Sequence, residues 1–143
     1  MNLKIRNMSE PEFMKWVSPE DEAVLPDGVA TFGNYFFVLE TMGKVVGHLW
    51  VAPRKPDLHV YGISVVERYR RLGYATDLLN FAFTLAKELD CRSVVVHVFA
   101  DNEAARKLYS KVGFKEQVIT MKRRCDVPEV KIKKHAGKVK RLE

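Results

Sequence analysis

The sequence predicts a mixed α/β (α+β) domain with a mostly antiparallel sheet, a central βαβ crossover and flanking helices. Three observations predict it. Two β-rich runs flank a short glycine-containing turn, the pattern of an antiparallel hairpin. An apolar strand end then runs through a basic, small-residue turn into an amphipathic helix, and a second strand and helix follow, which is the order of a parallel crossover. The 143 residues, 47% of them hydrophobic, suffice for one sizeable core and not for two ordinary domains.

The first element is a helix from Ser9 to Val17. Ser9 is its N-cap, Pro11 sits in its first turn and Glu12 follows three residues after the cap. Phe13, Met14, Trp16 and Val17 supply the apolar face. Ser18 to Asn34 carries Pro19, Pro26, Gly28 and Gly33 among acidic residues and reads as loop, with room for one short helical turn. Tyr35 to Glu40 and Val45 to Ala52 are strands joined by Thr41-Met42-Gly43-Lys44. Pro53-Arg54-Lys55-Pro56-Asp57 breaks the chain, and Leu58 to Val66 resumes a strand.

Leu78, Leu79, Ala82, Phe83, Ala86 and Leu89 then recur at helical spacing, so about Tyr74 to Leu89 is an amphipathic helix. Ser93 to Phe99 is a nearly continuous apolar run, expected as a strand buried on both faces. Asp101 or Asn102 caps a second helix through about Lys111, which the Gly113-Phe114 pair ends. Val118 to Lys122 is expected as a last strand. The sequence holds no internal repeat.

The net charge is +6, and half of the excess lies in the segment from Cys125 to Glu143, which carries +3. We expect residues 1–124 to form the domain and residues 125–143 a basic tail, either disordered or used in self-association. No aromatics interleave the tail lysines, so a nucleic-acid partner is not expected. No apolar stretch reaches the roughly 20 residues that span a bilayer, and Met1 to Arg6 lacks the apolar region of a signal peptide, which points to a cytoplasmic protein without a membrane partner. Cys91 and Cys125 have no nearby Cys or His at metal-ligand spacing, so unpaired thiols and no metal are expected.

Arg70-Arg71-Leu72-Gly73-Tyr74-Ala75-Thr76 has the composition of a diphosphate cradle. A turn opening a helix presents unpaired N–H donors and the positive end of the helix dipole to an anion. Gly73 and Ala75 let backbone approach phosphate closely, and Arg70 and Arg71 add permanent charge.

Three elements together resemble the GNAT superfamily of acetyl-CoA-dependent N-acetyltransferases, over roughly Leu58 to Lys122. Arg70 to Ala75 is similar to the Arg/Gln-x-x-Gly-x-Gly/Ala signature of that family. Asn102 to Phe114 resembles its Asn-x-x-Ala-x-x-Leu-Tyr-x-x-x-Gly-Phe segment, and Met121-Lys122 the end of its final paired strands. The resemblance implies a β-bulge in the strand from Leu58 to Val65, which splays from Ser93 to Phe99 so that a pantetheine arm can pair in the gap like an added strand. It implies that backbone of Ile63, Ser64 and Val65 holds that arm, with Val65 N–H polarising the thioester carbonyl. Arg71 to Thr76 would take the diphosphate, and Asn102 would contact the cofactor near the arm.

For chemistry, the resemblance points to Tyr109, a phenol able to protonate a thiolate leaving group, with packing alone as the other reading. His97 falls where ribosomal-protein N-terminal acetyltransferases place a catalytic glutamate, and His59 near where histone acetyltransferases place theirs. An imidazole, whose ordinary pKa is near 6.5, suits a base at pH 7, so His97 is the first candidate and His59 the weaker one. Proton loss through water or from the free substrate stays open. His48 and Glu40 are further candidates for lining the site. The implied reaction moves an acetyl group to a primary amine: a protein N-terminus, a lysine, or a small amine or polyamine. The alternative is an acyl-CoA-binding regulatory protein of the same fold. Many relatives are dimers, so a homodimer is compatible with the resemblance.

Overall fold

Hairpin geometry sets the register of the sheet. In the computed structural model, which describes residues 3–130, β2 (Tyr35–Thr41) and β3 (Lys44–Arg54) pair up to Thr41 and Lys44. Met42 and Gly43 form a two-residue turn with φ of 50° and 76°, the left-handed values a tight hairpin requires. β4 (Asp57–Val65) returns antiparallel to β3 through a second tight turn at Lys55 and Pro56, whose peptide bond is cis. The segment from Pro53 to Asp57 is therefore a hairpin between paired strands rather than a break. A short strand not expected from the sequence, β1 (Lys4–Asn7), pairs antiparallel with β2.

α1 (Glu10–Trp16) begins as its cap predicts. Glu12 N–H donates to Ser9 Oγ at 3.3 Å, and Ser9 N–H donates to Glu12 Oε1 at 2.9 Å. Arg6 ties β1 to that cap with two bonds of 2.8 Å to the Glu12 carboxylate, and it reaches Glu40 on β2 at 3.3 Å. The short helical turn is α2 (Pro19–Glu22), capped by Ser18.

α3 (Tyr74–Glu88) crosses over to β5 (Ser93–Val96), which runs parallel to β4 and completes the order β1-β2-β3-β4-β5. Period-two alternation sends Phe37 and Leu39 of β2 to one face, where they meet Leu49, Val51, Leu58 and, from α3, Leu78. Phe36, Val38 and Trp50 turn to the other face and meet Phe13 and Val17 of α1. Gly47 lets β3 lie close under α3, because a Cβ there would stand 2.9 Å from Ser64 O and 3.4 Å from Leu78 Cδ1.

Two expectations fail at the last edge of the sheet. β5 stops at Val96 and is half-exposed rather than buried on both faces. Val118 to Lys122 forms no strand, and Val118 and Met121 stand 84% and 90% exposed. β-propensity alone does not make a strand without a partner ladder, and among the described residues no strand pairs with the outer edge of β5. The crossover consequently occupies the last two strands of the described sheet. Met121-Lys122 is likewise unpaired. α4 (Glu103–Lys111) ends the regular structure, with Asn102 as its cap through Ala105 N–H at 3.1 Å.

Cys91 is buried and Cys125 exposed, and both are free. No described helix is long and apolar enough to cross a membrane. Most of the basic tail, from Lys131 on, lies outside the described residues.

Candidate active site

A bulge in β4 creates the site. Trp50 pairs with Gly62 but the next residue, Val51, pairs with Val60, so Tyr61 is an extra residue on β4. The Tyr61 ring packs 5.3 Å from that of Trp50, and a Cβ on Gly62 would lie 3.5 Å from Trp50 Cβ. Tyr61 and Gly62 thus face the same side, and facing inverts beyond them. The ladder between β4 and β5 also ends here, at Val60 and Val96. Beyond that point the strands separate.

The parting leaves backbone donors on the gap side. Val66 N–H donates to Val46 O at 2.8 Å, toward β3. Alternation along an extended strand then turns the amides of Ile63 and Val65 to the opposite edge, into the gap. Val65 O points the same way and accepts from Arg70 Nε at 2.9 Å. Arg70 therefore anchors the turn to β4 with part of its guanidinium instead of standing wholly free.

At the next turn Arg71 and Gly73 hold left-handed backbone, with φ of 64° and 88°. Gly73 is the cap of α3, and the first helical bond is Asp77 N–H to Gly73 O at 3.0 Å. The amides of Tyr74, Ala75 and Thr76 remain outside the helical ladder. A Cβ on Gly73 would meet nothing within 4 Å, so the turn is open on that side. Leu72 is exposed beside it. Donors and permanent charge without steric cover fit a diphosphate.

A cleft of about 340 Å³ lies where the strands part, between α1, α2, β3, β4 and α4. Tyr109, Asn102, His97 and Ile63 line it together with Trp16, Asp21, His48, Trp50 and Tyr61. The Tyr109 ring packs edge-on against Phe114 at 5.5 Å, and burial pushes its phenol above the usual value, so its proton stays on near neutrality. Asn102 commits Oδ1 to the α4 cap and leaves Nδ2 uncommitted.

The histidines separate. His97 is exposed at the mouth of the cleft, just past β5. His59 is not among the lining residues; its ring packs against Tyr61 and His97 at 5.9 and 5.8 Å. His48, a lesser candidate from the sequence, lies inside. Its Nδ1 is 2.7 Å from Ser64 Oγ, its ring is 5.3 Å from Trp16, and burial lowers its pKa to about 4 against a smaller upward pull from Asp21. Ser64, expected to meet a cofactor arm through backbone, spends its side chain on His48. Glu40 is absent from the cleft lining and pairs with Arg6. Trp16, Trp50 and Tyr61 escaped the sequence reading as site residues because an aromatic on an apolar face gives no sign of which end of a sheet opens.

Comparisons with known proteins agree with this geometry. YycN of Bacillus subtilis, described as an uncharacterized N-acetyltransferase, is 34% identical over 106 residues, 71% of this chain and 68% of that protein. An N-alpha-acetyltransferase of Sulfurisphaera tokodaii is 38% identical over 94 residues, 57% of this chain and 56% of its own length. The crystal structure of YycN matches with a TM-score of 0.74 at 27% identity, covering 86% of this chain and 98% of that one. AAC(6')-Iy, in complex with the bisubstrate analog CoA-S-monomethyl-acetylneamine, shares the fold with a TM-score of 0.70 at 21% identity, over 87% of this chain and all of that one. Residues 2–114 match the Acetyltransferase (GNAT) family, and the chain therefore belongs to that family of acyltransferases, whose co-substrate is acetyl-CoA.

Proposed function

We propose that the chain is an N-acetyltransferase that moves an acetyl group from acetyl-CoA to a primary amine in the cleft beside Tyr109. The observation that carries this reading is the divergence of β4 from β5 beyond Val60 and Val96, with outward amides on one wall and a phenol on the other. Acetyl-CoA supplies an acyl group already activated as a thioester. The Tyr74, Ala75 and Thr76 amides, with Arg71, would hold its diphosphate. Ile63 N–H would hold the amide arm together with Asn102 Nδ2.

Val65 N–H, fixed in direction by the ladder to β3, would stabilise the negative charge that develops on the carbonyl oxygen. Tyr109 Oη keeps its proton and gives it to the departing sulfur. His97 at the cleft mouth accepts the proton that the amine must lose. His48 serves as a neutral wall rather than a proton carrier, since its pKa is lowered to about 4.

The test is acetyl-CoA-dependent thiol release against small amines, polyamines and peptides with free N-termini or lysines. Wild type releases thiol with at least one class, and Tyr109→Phe lowers kcat by about 100-fold, the low end for loss of a general acid, with CoA affinity unchanged. Acetyl-CoA binding without thiol release across the panel would overturn the transferase reading in favour of an acyl-CoA-binding regulator.

A further inference from the structure

The cleft that Tyr109 lines is also walled by a cluster of aromatic rings and one carboxylate. Trp16 comes from the last residue of α1, His48 and Trp50 from β3, and Tyr61 from the bulge. Trp16 and His48 pack at 5.3 Å, as do Trp50 and Tyr61, and Phe36 stacks behind Trp50 at 5.5 Å. Aromatic faces carry negative quadrupole charge and attract cations while also burying apolar surface. His48 is neutral near pH 7 and adds no repulsion.

Among the described residues, Asp21 is the only carboxylate lining the cleft, and no lysine or arginine lines it. Its Oδ2 accepts from Ser18 Oγ at 3.0 Å, which fixes the group at the rim. Glu20 and Glu22 on the same short helix do not reach the lining.

We propose that the acceptor is a small primary amine with one positive charge and an apolar body, the body against Trp16, Trp50 and Tyr61 and the ammonium beside Asp21. The inference rests on the transferase reading of the same cleft. A second ammonium, as in a polyamine, would find no second carboxylate among the described lining residues and would displace the apolar body from the rings. About 340 Å³ is at the small end for ligand pockets, and the thioester end of the donor shares it, so one ring or a short alkyl chain fills the rest. The ammonium gives one proton to His97 before its nitrogen attacks the thioester carbonyl; as the C–S bond breaks, Tyr109 protonates the departing sulfur and the new amide nitrogen releases its second proton.

The chain has two tryptophans, and both line the cleft, so their fluorescence reports occupancy of this site directly. CoA-saturated protein is titrated with phenethylamine, spermidine and the uncharged 2-phenylethanol, alongside thiol release with the two amines. Phenethylamine should quench saturably and bind about tenfold tighter than either other probe, a ratio expected of one charge-assisted contact. Asp21→Asn should erase the advantage over 2-phenylethanol, and Trp16→Leu should weaken both ring-bearing probes.

Equal or tighter binding of spermidine, or an unchanged ratio in Asp21→Asn, would overturn the proposal. Thiol release with spermidine and none with phenethylamine would also overturn it while leaving the transferase reading standing. Saturable phenethylamine binding that Asp21→Asn weakens, with no thiol release from any amine, would uphold the amine site and count against transfer.

Discussion

Lowering the pH from 7 to 5 should cost this protein stability through a single side chain. His48 has a folded pKa of about 4, chiefly because burial disfavours its charged form, whereas an unfolded histidine titrates near 6.5. The unfolded chain therefore takes up a proton first as the pH falls, so stability decreases from about pH 6.5 downward and levels off below about pH 4. The whole shift corresponds to about 3 kcal/mol, of which about 2 kcal/mol falls between pH 7 and pH 5. Glu12 has the opposite linkage and a lower window. Its pKa is lowered to about 2, first by the Arg6 hydrogen bond, so its contribution is intact above about 4.5 and is lost only as the pH falls through 2.

The assay is urea unfolding at pH 7, 6 and 5, followed by tryptophan fluorescence, for wild type and His48→Gln. The glutamine keeps a polar partner for Ser64 Oγ without titrating. Wild type should lose about 2 kcal/mol more than the variant over this range, a relative midpoint shift of about 1 M urea. Parallel losses in the two proteins would refute the claim that His48 is held neutral by burial.

Three further outcomes follow from the geometry. Gly73→Glu should weaken CoA binding at least about tenfold by calorimetry, because a carboxylate enters an anion site and a side chain must adopt φ of 88°. Gly47→Ala should lower stability by about 1–3 kcal/mol in urea, since its Cβ would meet Ser64 O at 2.9 Å and neither strand can give way without disturbing the bulge. Glu12→Gln should cost about 1–2 kcal/mol by the same measurement, through weaker bonds to Arg6 and the Ser9 cap.

The helices and the hairpin were legible in the sequence because their signals are local. Ser9 and Glu12 name a helix start within four residues, Thr41 to Lys44 close their own turn, and the α3 pattern repeats every three or four positions. What failed depended on partners. β1 is four residues long and acquires its identity from β2, and Val118 to Lys122 has strand composition but pairs with no strand among the described residues. Of the site, the phosphate turn and the α4 face were readable through the family resemblance, since spacing along one helix or turn is preserved in the chain. Of the acceptor wall, His48 was a candidate from the sequence and Trp16, Trp50 and Tyr61 were not, because they come from separate elements that only the folded sheet gathers.

The inserted residue at Tyr61 links both halves of the site. If β4 ran through Tyr61 in regular alternation, with no bulge, Gly62 and Ser64 would face α3 instead of His48 and Trp50. The ladder to β5 could then continue past Val60 and close the gap that the Ile63 and Val65 amides face. One extra residue thus opens the donor groove on the strand edge and turns an aromatic side chain into the acceptor wall on the strand face. Gly62 completes the arrangement, because a Cβ there would stand 3.0 Å from His48 Nε2 and crowd the ring that seals the floor of the cleft. Donor and acceptor geometry therefore share one structural cause in β4, and changes at Tyr61 or Gly62 should alter both kinds of binding together, whereas changes at Gly73 or Asp21 should alter one.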